Sequence, residues 1–235
     1  MARPPVALAR RPAVSSRLGT LIVVAVGLGL AWLLVHQAMP SWYARLWYPL
    51  HYEEAIVEHS ARTGLEPALV AAVIQAESGF VPDSRSSQGA VGLMQVLPAT
   101  ARFVAEGPHR PSPAPERLED PEVNIAYGTS YLRYLIERHG TLPLALAAVV
   151  GGEANVDRWV AEAASAGRTL RVPEDVPFPE TRAFVERVLE LRGVYRRTYG
   201  DELVPASGGE LSPRSISSIR KSSGSRTKQM REPPG

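Results

Sequence analysis

Prolines and glycines that mark helix starts and ends divide residues 51–200 into segments of helical length. This division limits the possible folds more than any other feature of the sequence. Gly64 follows an amphipathic segment, at the position where a left-handed residue commonly ends a helix. Pro67 and the pair Asp120-Pro121 are helix-start signals, because proline suits the first turn and aspartate caps free backbone N–H groups. The sequence therefore predicts helices over 51–63, 67–76, 121–139 (before Gly140), 141–149, 155–166 and 180–199, with another beginning at Pro98.

No β-rich region and no internal repeat interrupts this helical pattern. Residues 82–92 are rich in Ser and Gly, which predicts a loop or a small hairpin. Three prolines in 168–179 predict a connecting loop. The predicted fold class is therefore mainly α, with at most a small hairpin, in a domain of residues 48–204. Tyr131, Tyr134 and Trp159 are expected to be core residues of this domain.

An uncharged apolar run from Leu18 to Val35 precedes the helical region. Eighteen residues at the helical rise give about 27 Å, the thickness of a bilayer core. Four arginines precede the run and several Trp and Tyr residues follow it, which is typical of a cytoplasmic N-terminus and an outer membrane interface. The sequence therefore predicts a cytoplasmic segment 1–17 and a single-pass membrane anchor at 18–37. A cleaved signal peptide is the alternative, and either interpretation places the helical domain on the extracytoplasmic (periplasmic or cell-wall) side.

Residues 205–235 are Ser, Gly, Pro and basic residues with almost no large apolar side chain, so this tail is predicted to be disordered. The formal net charge is only +2, and we predict no nucleic-acid partner. There are no cysteines, which excludes disulfides, thiolate nucleophiles and cysteine-based zinc sites. The five histidines are scattered without metal-ligand spacing, so neither a metal site nor a cofactor is predicted.

Glu77 ends the apolar segment 69–76 and directly precedes Ser78-Gly79. A carboxyl group at the end of an apolar helix is a candidate for a pKa raised by desolvation, which is the property that a general acid needs at neutral pH. The position alone also fits an ordinary glutamate that lies in water or in a local hydrogen bond.

Spacing around Glu77 adds a second observation. Ser86 stands nine residues after Glu77 and Gln95 stands eighteen after it. Together with Glu77-Ser78, the run Ser86-x-x-Gly89-Ala90-x-Gly92-Leu93-Met94-Gln95 resembles the paired signatures of soluble-type lytic transglycosylases, which are lysozyme-like and related to goose-type lysozymes. The run Asn124-Ile125-x-x-Gly128-x-x-Tyr131-Leu132 resembles the helix that follows in that family, and the similarity extends over roughly residues 50–200.

The resemblance implies a lysozyme-like helical domain that cleaves the β-1,4 bond between N-acetylmuramic acid and N-acetylglucosamine in peptidoglycan glycan strands. It implies that Glu77 is the single acid/base and that the product has a 1,6-anhydro ring, without a metal or cofactor. It further implies that the substrate-binding residues are Ser78, Ser86, Gly92, Met94 and Gln95. Asp83, the nearest second acid, does not match a catalytic position and is interpreted as a loop residue.

Three positions depart from the family pattern. Val149 and Val150 stand where the family usually has Tyr and Asn, and Phe184 stands where it usually has Tyr. These replacements remove groups that hydrogen-bond substrate. Two alternatives therefore stay open, namely a catalytically degenerate peptidoglycan-binding module and a hydrolytic, lysozyme-like muramidase.

Overall fold

The structure, a computed structural model, describes residues 16–38, 40–111 and 115–204. The chain divides into two compact units, Met1–Pro49 and Leu50–Gly235. The predicted cytoplasmic segment 1–17 lies almost entirely outside the described residues, and the predicted tail 205–235 lies wholly outside them. Secondary structure in the described residues is helical, without a named strand, which confirms the mainly α prediction.

The first unit contains α1 (Ser16–Ala38) and α2 (Ser41–Trp47), of which α2 was not predicted. The described side chains of α1 include exposed apolar residues such as Leu21, Val23 and Leu28. Several other α1 side chains, those of 33–38 among them, lie outside the described set. Among helices of the described residues, none meets the length and apolarity needed to cross a membrane.

The second unit begins its helices with α3 (Glu53–Thr63) and α4 (Pro67–Glu77), and α4 is its central element. Seven consecutive residues of α4, 68–74, are buried, as expected of a helix that is apolar on all sides. It packs chiefly against the C-terminal helix of the unit and also against α3. The remaining helices are α5 (Pro98–Ala105), α6 (Pro121–His139), α7 (Leu142–Gly151), α8 (Glu153–Ser165) and α9 (Pro179–Tyr199), with a 3₁₀ turn at Pro115–Arg117.

The predicted helix boundaries are confirmed where local chemistry determines them. The Asp120 side chain accepts a hydrogen bond of 3.1 Å from the Glu122 backbone N–H and so caps α6. Gly64 and Gly140 end α3 and α6 in the left-handed conformation. Three boundaries were wrong by two residues: α7 ends at Gly151 and not at 149, α8 begins at Glu153 and not at 155, and the start of α3 also differs. Tyr52 has a φ of +60°, so α3 begins at Glu53 and not at residue 51.

The segment between α4 and α5 is a compact loop, as the Ser- and Gly-rich composition predicted. Its only strand-like features in the described residues are isolated antiparallel bridges that join Val91 to Arg85 and to Val96. Backbone hydrogen bonds of 3.0–3.1 Å between Val91 and Val96 fold the second half of this loop back on itself. The loop therefore returns residues 91–96 toward the end of α4, where Glu77 lies.

Candidate active site

Glu77 is the last residue of α4 and is only partly accessible to solvent. Burial raises the pKa of its carboxyl group to about 7, from an ordinary value of 4.5. Within the described residues no cation or hydrogen-bond donor contacts this carboxylate, so desolvation acts on it without compensation. A carboxyl group with this pKa is half protonated near neutral pH and can both donate and accept a proton there.

A cavity of about 270 Å³ lies beside α4. Val73 of α4 lines it, and Glu77 follows Val73 by one helical turn on the same face of the helix. Glu77 is not itself part of the wall, but it follows the wall residue Val73 by one helical turn. The wall is formed by Val73, Gln88, Met94, Gln95, Val96, Leu97, Thr100, Gly128, Tyr131, Leu132, Ala148, Val149, Val150 and Gly152.

Ser78, predicted to bind substrate, connects the end of α4 to the returning loop. Its hydroxyl lies 2.8 Å from the Leu93 carbonyl oxygen and 3.2 Å from the Ile74 carbonyl oxygen. A hydroxyl has a single hydrogen, which these two carbonyls share, so Ser78 retains only acceptor capacity for a ligand. The clear contribution of Ser78 in the structure is to fix the position of Glu77 relative to the loop.

The loop is internally hydrogen-bonded through Ser86 and Gln95. The Ser86 hydroxyl oxygen accepts from the Ala90 backbone N–H at 3.0 Å. The Gln95 amide nitrogen donates to the Gly92 carbonyl at 2.8 Å and to the Ser84 carbonyl at 3.1 Å. Gln95 has a φ of +47°, an unusual backbone conformation for a non-glycine residue, and these two bonds help to hold it there.

The close approach of the Asn124 side chain requires glycine at position 92. A Cβ atom at this position would lie 2.3 Å from Nδ2 and 2.7 Å from Cγ of Asn124, and the φ of Gly92 is +82°. Asn124 is fully buried in α6 and makes three hydrogen bonds. Its amide nitrogen donates to the Val91 and Leu118 carbonyls at 2.8 and 2.9 Å, and its amide oxygen accepts from the Met94 N–H at 2.8 Å.

Asn124 is therefore the residue that joins the loop to α6, and sequence reasoning did not assign it to the site. The sequence did contain an indication of this role, because Asn124 begins the second motif of the family resemblance. That motif was interpreted only as a helix. A buried asparagine in the second turn of a helix needs partners for its whole amide, and this requirement points to a structural role.

Met94 and Gln95 are the two predicted binding residues that line the cavity. Met94 packs so closely on α6 that a Cβ at Gly128 would lie 2.4 Å from its sulfur atom. Val149 and Val150 also line this cavity, so these two departures from the family pattern fall in its wall.

Tyr131 also lines the cavity and is half-buried, so its prediction as a core residue was wrong. Trp159 is buried, as predicted, and packs edge-to-face on Phe178 with ring centroids 5.0 Å apart. Phe184 is half-buried on α9 and is not part of the wall, while Asp83 is exposed in the loop. Across the described parts of the chain, no three His, Asp or Glu side chains are grouped closely enough to hold a metal ion.

Comparison with known proteins identifies the family of this domain. Residues 54–171, half of the chain, match the family described as Transglycosylase SLT domain. The soluble lytic murein transglycosylase of Escherichia coli K12 is 32% identical over 157 residues, which cover 66% of this chain and 24% of the relative.

Two solved structures agree with this match. The 70 kDa soluble lytic transglycosylase of Escherichia coli superposes with a TM-score of 0.60 at 33% identity, over 70% of this chain and 27% of that one. An inactive glutamate-to-glutamine mutant of the Pseudomonas aeruginosa lytic transglycosylase Slt superposes with a TM-score of 0.60 at 28% identity, over 73% and 28%. The chain spans about a quarter of the length of these relatives. The helical fold, the loop that follows Glu77 and these matches together show that the chain belongs to the transglycosylase SLT domain family.

Proposed function

We propose that this protein is a peptidoglycan lytic transglycosylase in which Glu77 is the general acid and base. The observation on which the proposal rests is the half-buried Glu77 carboxyl group, whose pKa burial raises to about 7, on a residue that follows the cavity-lining Val73 by one helical turn. Relatives named as lytic murein transglycosylases support the substrate class. The inactive glutamate-to-glutamine mutant of the Pseudomonas aeruginosa relative supports a reaction that depends on one glutamate.

In the proposed reaction, protonated Glu77 donates its proton to the oxygen between N-acetylmuramic acid and N-acetylglucosamine. The bond from C1 to that oxygen breaks, and the muramic N-acetyl carbonyl oxygen stabilises C1. The Glu77 carboxylate then accepts the proton of the C6 hydroxyl, whose oxygen bonds to C1 and forms the 1,6-anhydro ring. Glu77 ends protonated, as it began, and no water is consumed.

The proposed route and hydrolysis differ in the number of carboxylates that each requires. Hydrolysing glycosidases normally use two carboxylates, one on each side of the scissile bond. The described wall of the cavity contains neither Asp nor Glu, and the nearest acid along the loop, Asp83, is exposed. An intramolecular hydroxyl needs no second carboxylate to activate a water molecule.

The test is digestion of purified peptidoglycan with the full-length chain, followed by mass spectrometry of the soluble products. We expect anhydro-muropeptides from the wild type and none from Glu77→Gln, while the matched Asp83→Asn variant retains wild-type activity. Products heavier by one water molecule would show a hydrolase instead. A wild type that releases no product at all would refute the proposed reaction.

Val149 and Val150 favour a second candidate function, glycan binding without turnover. Both line the cavity, and neither side chain can form a hydrogen bond. This alternative expects sedimentation with intact sacculi to be equal for the wild type and Glu77→Gln, with no products from either. It further expects the double substitution Val149→Tyr and Val150→Asn to produce cleavage where the parent chain has none.

We also propose that residues 18–37 anchor the domain to the cytoplasmic membrane, on its extracytoplasmic side. The uncharged run and the exposed apolar side chains of α1, such as those of Leu21, Val23 and Leu28, support this proposal. The full-length chain is expected in the membrane fraction after an alkaline wash, with its N-terminus intact by mass spectrometry. Recovery in the soluble fraction with a shortened N-terminus would indicate a cleaved signal peptide.

A further inference from the structure

Helix α2 (Ser41–Trp47) exposes its large apolar side chains and buries only its smallest one. Trp42, Leu46 and Trp47 are 65%, 72% and 61% exposed, whereas Ala44 is 1% exposed. This distribution is the reverse of the one expected for a helix that packs on a domain in water, because large apolar side chains gain most from burial. Single exposed apolar residues are ordinary on protein surfaces, but three of them within two helical turns form a continuous patch.

The exposed side chains share one side of α2. At about 100° per residue, they follow one another around the helix axis within about 140°. In that order they are Trp42, Leu46, Tyr43 and Trp47, and these four residues form the α2 stripe. Tyr43 joins the two tryptophans, with ring centroids 5.8 Å from Trp42 and 6.3 Å from Trp47. The three rings are therefore one connected aromatic surface, and Ser41 and Ala44 lie on the other side of the helix.

The sequence around the α2 stripe contains no negative charge. Residues 18–52 include neither Asp nor Glu. Arg45 is exposed on the flank of the stripe, next to Trp42. Anionic phospholipid headgroups attract arginine and repel carboxylates, so the charge of this surface is complementary to that of a membrane.

The residue types of the α2 stripe also fit the boundary between lipid and water. Trp and Tyr have an apolar ring with a polar N–H or O–H, and they are enriched where acyl chains meet headgroups. Helix α2 begins at Ser41, three residues after α1 ends at Ala38, so its start lies within about 11 Å of that end. A membrane anchor at residues 18–37 therefore keeps α2 close to the headgroup layer.

A second copy of this chain is the other occupant that such a patch could have. The exposed parts of the four side chains of the α2 stripe offer on the order of 500 Å². A stable protein–protein interface buries about 800 Å² on each partner. The stripe is therefore too small to hold a dimer by itself, whereas an interfacial helix inserts only its apolar face.

We propose that α2 is an interfacial helix that docks on the outer surface of the membrane, with the α2 stripe inserted among the lipid headgroups. This inference rests on the membrane anchor of the proposed function, and it adds a contact outside that anchor. The first unit then contacts the membrane at two levels, through α1 in the apolar core and through α2 in the headgroup layer.

The test uses the absence of cysteine from the sequence, which allows a spin label at one chosen position. Leu46→Cys places the label in the α2 stripe, and Ser41→Cys is the matched control on the other side of the same helix. Each full-length, labelled chain is reconstituted into vesicles of phosphatidylethanolamine and phosphatidylglycerol. Electron paramagnetic resonance then measures how often the label meets oxygen, which concentrates in lipid, and a water-soluble nickel chelate.

We expect the label at position 46 to meet oxygen more often than the nickel chelate, and the label at position 41 to show the reverse. Equal contact with the nickel chelate at both positions would overturn the inference. Line broadening at position 46 that disappears on dilution with unlabelled chain would identify a second copy as the occupant, and this result would overturn it too.

The tryptophans are tested in the chain labelled at position 46. Replacing both Trp42 and Trp47 with serine is expected to raise contact with the nickel chelate to the level found at position 41. Replacing both with phenylalanine keeps aromatic rings and is expected to retain most of the protection. Unchanged protection in the serine variant would show that the α2 stripe does not hold the helix in the interface.

A label at Val26→Cys reports on the anchor separately, because Val26 lies at the middle of the uncharged run. Protection from the nickel chelate at position 26 without protection at position 46 would refute α2 docking alone. The opposite pattern would refute the anchor and support docking. These measurements need no catalysis, so they succeed or fail independently of the peptidoglycan digest.

Discussion

Replacing Gly92 with alanine tests whether Asn124 holds the loop that follows Glu77. The new Cβ would lie 2.3 Å from the Asn124 amide nitrogen, so the asparagine side chain must move. Alanine at a φ of +82° costs about 1–2 kcal/mol in backbone energy. Loss of the three buried Asn124 hydrogen bonds adds about 3 kcal/mol, at roughly 1 kcal/mol each. We therefore expect the free energy of unfolding to fall by about 4–5 kcal/mol.

The same loop contains a matched control. Gly89 has a φ of +83°, and no atom lies within 4 Å of the position of an added Cβ. Gly89→Ala therefore has the backbone cost without the steric conflict, and a loss of about 1–2 kcal/mol is expected. Urea denaturation of the full-length chain, monitored by circular dichroism, measures both losses.

Equal losses for Gly92→Ala and Gly89→Ala would refute the argument, because the Asn124 contact would then contribute nothing. A double-mutant cycle gives an independent check. In an Asn124→Ala background the conflict with the Asn124 side chain is absent and only a 3.1 Å approach to the Leu118 carbonyl oxygen remains, so Gly92→Ala should cost mainly its backbone strain, about 1–2 kcal/mol. If Gly92→Ala lowers the free energy of unfolding as much in that background as in the wild type, the steric conflict does not involve the Asn124 side chain.

Four further predictions concern charge. Because the pKa of Glu77 is about 7 in the folded chain and 4.5 is its ordinary value, peptidoglycan cleavage should fall as the pH rises above about 7. Glu77 ionises first in the unfolded state, so its contribution to the free energy of unfolding should decrease between pH 4.5 and 7. Glu77→Gln should lack this contribution and be up to about 3 kcal/mol more stable than the wild type at pH 8. Burial lowers the pKa of His59 below its ordinary 6.5, so the contribution of His59 to the free energy of unfolding should fall as the pH drops below about 6.5, and this fall should be absent from urea denaturation of His59→Gln. Arg192 pairs with Glu66 between α9 and α4, and Arg192→Gln should lower the free energy of unfolding by about 1 kcal/mol, an effect absent when Glu66→Gln is already present.

The helix boundaries were predictable because they depend on residues close together in the chain. Pro67, Pro98 and Pro121 each stand in the first turn of a helix, and Gly140 ends α6 in the left-handed conformation. Such signals act through the backbone groups of the next few residues, so the sequence contains the whole cause. The φ of +60° at Tyr52 has no comparable local signal, and the start of α3 was missed for that reason.

The candidate site was only partly predictable, because much of its geometry is long-range. Glu77 and Gln95 were found from their spacing, and Gln95 does line the cavity. The hydrogen bond from Met94 to Asn124 spans thirty residues, and the one from Asn124 to Val91 spans thirty-three. No local pattern specifies such pairs. Tyr131 was assigned to the core because an aromatic residue on an apolar helix face usually lies there, and only the packed structure shows it in a cavity wall.

Among the described residues the Glu77 carboxylate has no hydrogen-bond or charged partner, and this affects how its pKa is determined. When an arginine or a hydrogen-bond donor contacts a carboxyl group, that fixed contact determines the pKa of the group. The pKa of Glu77 follows from burial alone, so it changes with the amount of water that reaches the end of α4. A glycan strand that covers this end removes further water and makes the carboxyl group hold its proton more strongly at the moment when the proton is needed. We therefore expect the pKa of Glu77 to rise when a glycan strand binds, so that substrate binding favours the protonated form that donates the proton.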